Sequence, residues 1–340
     1  MAVQCLATER EAELMTATVS RLRESATWRS REVRYYSGPW PSILDFVPEF
    51  ELAPFTTGDD EPPNPYLQTV VRLPLSSVER PIPVGVVSTT YGLAPHRKVA
   101  ELCREGATTA GVAADELRYE VGVSELGEWM NFRVYFPQRF SIGDGDNREI
   151  DLRLECFNSV DGTSKLVILF GWYRLICSNG MVIGESKIEI KERHGSRLDL
   201  ASIPPRIKEA VQAVERDRKR MARWREEGFS KNDLTKWANG VVAAKWGKKA
   251  AARVYHIAST GHDVEFTAPF ASGPATQKPV RQGAAVPGSL VPARTKYDIA
   301  QILSFVASRR ANAEERLAWQ SEVAGILTKL GSSKLAQVSS

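Results

Sequence analysis

Apolar residues recur every second position through the middle of the chain and every third or fourth position on either side of it. Residues 117–124 place Leu117, Tyr119, Val121 and Val123 on one face, with Arg118 and Glu120 on the other. Residues 130–137 set Phe132, Val134 and Phe136 against Arg133 and Tyr135, which are expected to face outward. Residues 149–158 turn Ile150, Leu152, Leu154 and Cys156 inward, leaving Arg153 outward. Residues 165–177 are apolar on both faces, as in a central strand covered on two sides. Alternation returns over 182–191 with Ile188 and Ile190. These segments predict an antiparallel meander of about five strands.

The helical period surrounds this meander. Ala12, Met15, Val19 and Leu22 form a stripe over 8–26. Residues 31–80 are rich in proline and aromatics, with a short strand at "QTVVRLPL". Val84 to Val87 then predict a strand, and Pro95 opens a helix running to about Ala110. The paired prolines after Ile203 begin a long helix that Gly228 closes, with shorter helices at 231–239 and 241–258. Residues 259–294 carry Gly, Pro, Ala and Ser without a period and read as a flexible loop. Ile299, Ile302, Leu303 and Val306 mark a helix over 296–308, and another follows at 312–330. The expected organisation is an N-terminal helix and Pro-rich arm (1–80), an α+β core (81–258), the loop (259–294) and C-terminal helices (295–332). In class this is α+β: a curved antiparallel sheet packed by a long basic helix, with additional helices at both ends.

Composition adds exclusions. The apolar fraction of 43% and charged fraction of 25% are ordinary for a globular chain. No run reaches the ~18 apolar residues of a membrane span, so no membrane partner is expected. Charges from Glu9 and Arg10 onward do not resemble a secretory signal, and the expected location is cytoplasmic. Cys5, Cys103, Cys156 and Cys177 form no CxxC pair and read as reduced thiols. His256 and His262 lack a standard ligand spacing, so no metal is expected. The acidic run from Asp144 has Glu149 where a calcium loop needs its glycine. No phosphate-cradling glycine loop or nucleophile elbow occurs, so no cofactor, small-molecule substrate or enzymatic activity is expected. Cys177 sits beside "SNG", and Asn179–Gly180 is a strong hairpin turn; catalysis would need a base that no neighbouring residue supplies.

Charge distribution is the informative feature. The net charge is only +4, yet residues 204–253 carry 14 Lys/Arg against 6 Asp/Glu. Arg216, Lys219, Arg220 and Arg223 recur at three- and four-residue steps and share a helix face, which Arg218 and Arg225 widen. Downstream, Lys236, Lys245, Lys248, Lys249 and Arg253 interleave with Trp237 and Trp246. Cations neutralise phosphates and aromatics stack bases, so this pattern suits a single strand. The simpler readings are a solvated helix and core tryptophans. Arg133, Tyr135, Arg153 and Arg174 offer a second cationic surface if they line up across neighbouring strands.

The segments "PVGVVSTTYGLAPHRKV" and "FNSVDGTSKLVILFGWYRLICSNGMVIG" resemble the family called domain of unknown function 932, found in phage- and plasmid-like proteins. Its hallmark is a turn, here Asn158, Ser159, Asp161, Gly162 and Thr163, then a strand ending in Arg174, Cys177, Asn179 and Gly180. Val160 stands where many members have His. The resemblance spans about 80–330 and implies residence on a mobile element. A meander followed by a long helix is also similar, in architecture alone, to phage single-strand annealing proteins. The expected function is DNA binding, single-stranded by preference, in recombination or element maintenance. Arg216, Lys219, Arg220, Arg223, Lys245, Lys248, Lys249, Trp246 and Arg174 are its candidate contacts, while Asn158, Asp161, Gly162, Asn179 and Gly180 hold the turns. A homo-oligomer is compatible with this reading. The alternative is a protein-binding anti-defence or regulatory module of a mobile element that never touches nucleic acid.

Overall fold

The computed structural model describes residues 27–28, 31–58, 61–140, 150–174, 181–182, 190–192, 194–267, 273–277, 280–286, 289, 291–331 and 333–334. The expected helix over 8–26, Cys177 and the Asn179–Gly180 turn lie outside them. The described residues form a mixed α+β structure with antiparallel sheets. It divides into two compact units: Met1–Gln138, Leu152–Phe170 and Lys187–Gln212 in the first, and Arg139–Asp151, Gly171–Ser186 and Ala213–Ser340 in the second.

The predicted meander lies mostly in the first unit, with the ends of three of its strands (139–140, 150–151 and 171–174) in the second. The strands of this sheet are β1 (Thr27–Trp28), β2 (Arg31–Gly38), β6 (Arg118–Ser124), β7 (Trp129–Phe140), β8 (Ile150–Ser159) and β9 (Leu166–Arg174), in the order β1-β2-β6-β7-β8-β9. The short β11 (Ile190–Glu192) also pairs with β9. Strand β2 was not expected; its Tyr35 lies opposite Gly122 of β6. A separate three-stranded sheet joins β3 (Phe50–Pro54), β4 (Leu67–Arg72) and β5 (Ile82–Ser88). Helix α1 (His96–Thr109) is fixed by Val99, Ala100, Cys103 and Ala107, all fully buried. Cys103 and Cys156 are free thiols in this core.

Val121, Phe132, Val134, Leu154 and Ile168 are fully buried on the predicted apolar face. Each contributes about 1.5–3 kcal/mol by leaving water. The opposite face departs from expectation. Arg133 and Arg153 do not face solvent, because their charges are paired inside the protein.

The long helix α2 (Ile203–Glu226) has its residues to Gln212 in the first unit and those from Ala213 in the second. In the second unit it leads into β12 (Glu227–Gly228) and α3 (Lys231–Trp237). Ser230 and Asp233 form a reciprocal capping box that starts α3. A π-helical turn at Ala238–Val242 and the short α4 (Ala243–Trp246) follow. Gly247, at φ +87°, breaks the expected single helix and lets α5 (Lys248–Thr260) start in a new direction.

The segment expected to be a featureless loop contains a hairpin instead: β13 (His262–Phe266) pairs with β14 (Val280–Ala285). Helix α6 (Lys296–Ser308) starts at a second capping box, Thr295 with Asp298, and is buried along all 13 residues. Helix α7 (Ala313–Leu327) packs beside it. Strand β10 (Met181–Val182) pairs with Tyr173 and Arg174, and β15 (Ser333–Lys334) pairs with β12.

Candidate functional sites: the Asp161 turn and the cationic helix

Across β6, β7 and β8 the polar face of the first sheet is a closed set of ion pairs. Register places Glu120 opposite Arg133. Arg133 Nη1 donates to Glu120 Oε2 at 2.7 Å and its Nε to Glu155 Oε1 at 3.0 Å. Arg153 Nη2 donates to Glu155 Oε2 at 2.8 Å. Asn131 donates to Glu155, and Tyr135 donates to Glu120. All four charged side chains are at most 5% exposed. The structure thus brings Arg133, Tyr135 and Arg153 together as expected, but commits the two arginines to carboxylates. It gives β10 pairing for the Arg174 backbone, and that residue's side chain lies outside the described set.

At one end of this sheet the two hallmark segments meet. Asn158, fully buried, donates to Ala94 O at 2.7 Å and to His96 Nδ1 at 2.9 Å. His96 Nε2 then donates to Gly127 O at 3.0 Å. Burial pushes the His96 pKa down to about 3, so the ring is neutral with its proton on Nε2. Asp161 Oδ1 accepts from Ser159 Oγ (2.7 Å), Thr163 Oγ1 (2.6 Å) and Thr163 N (3.0 Å). Gly162 follows at φ +76°, the left-handed region where a side chain is strained. A Cβ on Gly85 would fall 2.8 Å from Asp161 Cα, so β5 approaches the turn at backbone distance.

Tyr91 OH donates to Val160 O at 3.0 Å, and its ring stacks on His194 with centroids 5.3 Å apart. Burial raises the Tyr91 pKa and lowers that of His194. Sequence reasoning found Asn158, Asp161 and Gly162 but missed Tyr91, His96 and His194. The signal for Tyr91 and His96 was their place in the first hallmark segment. Apart from the bond from His96 to Gly127, these hydrogen bonds tie one hallmark segment to the other or close the turn on itself, so this arrangement sets loop geometry. Among the described residues no group of three or more His, Cys, Asp or Glu is placed to hold a metal.

The second unit treats its cations differently. From Arg218 to Glu226, the exposed charged residues are Arg218, Lys219, Arg223, Arg225 and Glu226. Met221 and Trp224 are buried on the other side of α2. Arg220 is half-buried with its guanidinium over the Trp224 ring. The Arg216 side chain lies outside the described set. Lys248 and Lys249, both exposed, open α5, whose first turn has neither an acid nor a side-chain cap. Lys245 is exposed, 4.0 Å from Glu322.

The tryptophans are not free platforms. Trp237 is buried and donates to Ile326 O at 2.8 Å. Trp246 is only 6% exposed, donates to Glu322 at 2.8 Å and stacks on Trp319. The expected contact between Trp246 and a base is therefore corrected: both faces of an indole cannot be open when one is covered and the side chain is buried.

The family model for the domain of unknown function DUF932 matches residues 83–285, more than half of the chain. The chain belongs to the DUF932 family. No curated protein and no solved structure gives a significant match. The DUF932 stretch contains the Asp161 turn, strands β6 to β9, all of α2 and the start of α5. It excludes β2 to β4 and helices α6 and α7.

Proposed function

We propose that this DUF932 protein binds DNA along its phosphate backbone, through α2 and the start of α5, in recombination or maintenance of a phage, plasmid or integrated element. One observation carries the reading: four exposed cations against one exposed acid between Arg218 and Glu226, on a helix whose other side is apolar and buried. The helix macrodipole favours cations in the last turn and accounts for Arg223 and Arg225. It does not account for Arg218 and Lys219, which lie farther from the end. Lys248 and Lys249 add charge where backbone N–H groups already favour an anion. Arg133 and Arg153, tied to carboxylates, supply no part of this surface.

Binding of the purified protein to one sequence as single strand and as duplex, across a salt series, tests the reading. Affinity should fall linearly with log salt, and replacing Arg216, Lys219, Arg220 and Arg223 together by Gln should flatten the slope by about 0.7 per lost contact on single strands. Absence of binding to either form at low salt, where screening is weakest, sinks it.

A second reading has its own observation. Leu52, Tyr66, Leu75, Val78 and Val86, five of the exposed large apolar residues, fall within or beside the β3-β4-β5 sheet. Such clustering suits a protein partner and a regulatory or anti-defence role. A protein that binds no DNA but loses partner capture on Val78→Asp would support it.

A further inference from the structure

Trp246 is the base of a three-layer stack. Its ring lies parallel to Trp319 of α7, with centroids 4.6 Å apart and 10° between planes. The Arg310 guanidinium covers Trp319 at 4.5 Å from the ring centroid. Arg310 belongs to the α6–α7 connection, and its Nη2 donates to Glu315 Oε1 at 2.6 Å, which fixes its orientation. The Arg310 side chain remains 39% exposed. Thus two stacked indoles are capped by the guanidinium of a partly exposed side chain, its Nε buried. Guanidinium planes stack nucleobases as aromatic rings do. Around the column, Lys245 sits beside Glu322, Arg309 covers Phe305, and Lys248 and Lys249 begin α5 two and three residues beyond Trp246. The carboxylates nearest the column are both engaged by it, Glu315 by Arg310 and Glu322 by Trp246.

We propose that the Arg310–Trp319–Trp246 column is the base-stacking element of the DNA site, taking an unpaired nucleobase on Arg310 while neighbouring lysines hold flanking phosphates. This rests on the DNA-binding reading above and restores a single-strand preference by a different residue from the one expected. Arg310 is the contact, and the tryptophans position it. A base in a duplex has both faces stacked, so only a single strand gains from the column.

The test uses the full chain with three probes: an oligothymidylate, an abasic strand of equal length and a duplex. The wild type should bind the oligothymidylate about fivefold or more tightly than the abasic strand, the effect of roughly one stacked base. Arg310→Lys keeps the positive charge and removes the plane. It should bring that ratio close to one while leaving duplex affinity within about twofold. Trp319 fluorescence should be quenched by the oligothymidylate and not by the abasic strand, and Trp319→Phe identifies the emitter. Equal wild-type affinity for base-bearing and abasic strands overturns the inference and leaves backbone tracking intact. So does an Arg310→Lys variant that keeps the wild-type ratio, since Arg310 would then only cap the stack. Failure of the wild type to bind any probe removes both this inference and the reading it rests on.

Discussion

Arg133 and Arg153 in the first unit, and Arg223 and Arg225 in the second, are the same residue type in opposite employment. The first pair is at most 5% exposed and shares two carboxylates. The second pair stands exposed on α2, where water and salt screen its charge. A buried ion pair resists change because deleting one partner strands the other in a low dielectric. An exposed cation contributes little to folding and keeps its charge for whatever binds. Arginine content alone therefore says nothing about ligand binding until burial is known.

The contrast makes graded predictions. The largest effect belongs to Arg133→Met, which leaves Glu120 and Glu155 without their shared cation and should cost about 3–5 kcal/mol by urea denaturation. A loss below about 1 kcal/mol would mean that the pairs are solvated after all. Next comes acid sensitivity through His96. Its folded pKa of about 3 lies below the unfolded value of 6.5, so the unfolded chain takes up the proton first. Its contribution is complete above pH 6.5 and is lost as pH falls toward 3, at up to about 1.4 kcal/mol per pH unit. His96→Gln should remove that share of the slope; an unchanged pH profile of the urea midpoint would place His96 in water. In the second unit, Ser230→Ala should cost about 1 kcal/mol by removing the cap of α3. The smallest change is expected for Arg223→Gln, within about 0.5 kcal/mol on stability. The same substitution should lower the log–log salt slope for single strands by about 0.7. A large stability loss there with no slope change would make α2 a structural helix like any other.

Strands β6 to β9 were legible because alternation persists over each and one face is strongly apolar. Helix α6 was legible from Ile299, Ile302, Leu303 and Val306, although its burial on every side exceeds that stripe. Strand β2 was missed because Val33 and Tyr35 sit in a short, Pro- and aromatic-rich stretch with little contrast between faces. The β13–β14 hairpin was missed because "VRQGAA" is small and half-exposed, so burial writes no period into it. The polar face of the sheet was misread for a different reason. Alternation shows that Glu120, Arg133, Arg153 and Glu155 share a side, but their complementarity exists only once register sets them opposite one another. Trp246 was found and given the wrong office. Gly247 ends its helix, and its partner Trp319 lies 73 positions farther on, a distance that no local pattern spans. Asn158 and Asp161 were read as turn residues; Asp161 is one and Asn158 lies just before the turn, in β8, while their tie to Tyr91 and His96 needed the fold.

Helix α6 also bears on how this protein can be cut. It is enclosed along its whole length by α5, α7 and β10, yet it begins beyond residue 285, where the DUF932 match ends. A fragment trimmed to the family boundary would keep α5 and lose both α6, which packs against it, and α7. The buried apolar side of α5 (Ala251, Val254, Ile257 and Ala258) would then be turned to water, and such a fragment would tend to aggregate. For anyone expressing a single piece of the chain, the safe cut falls after β15, and the family boundary marks shared ancestry of sequence but not the edge of a folding unit.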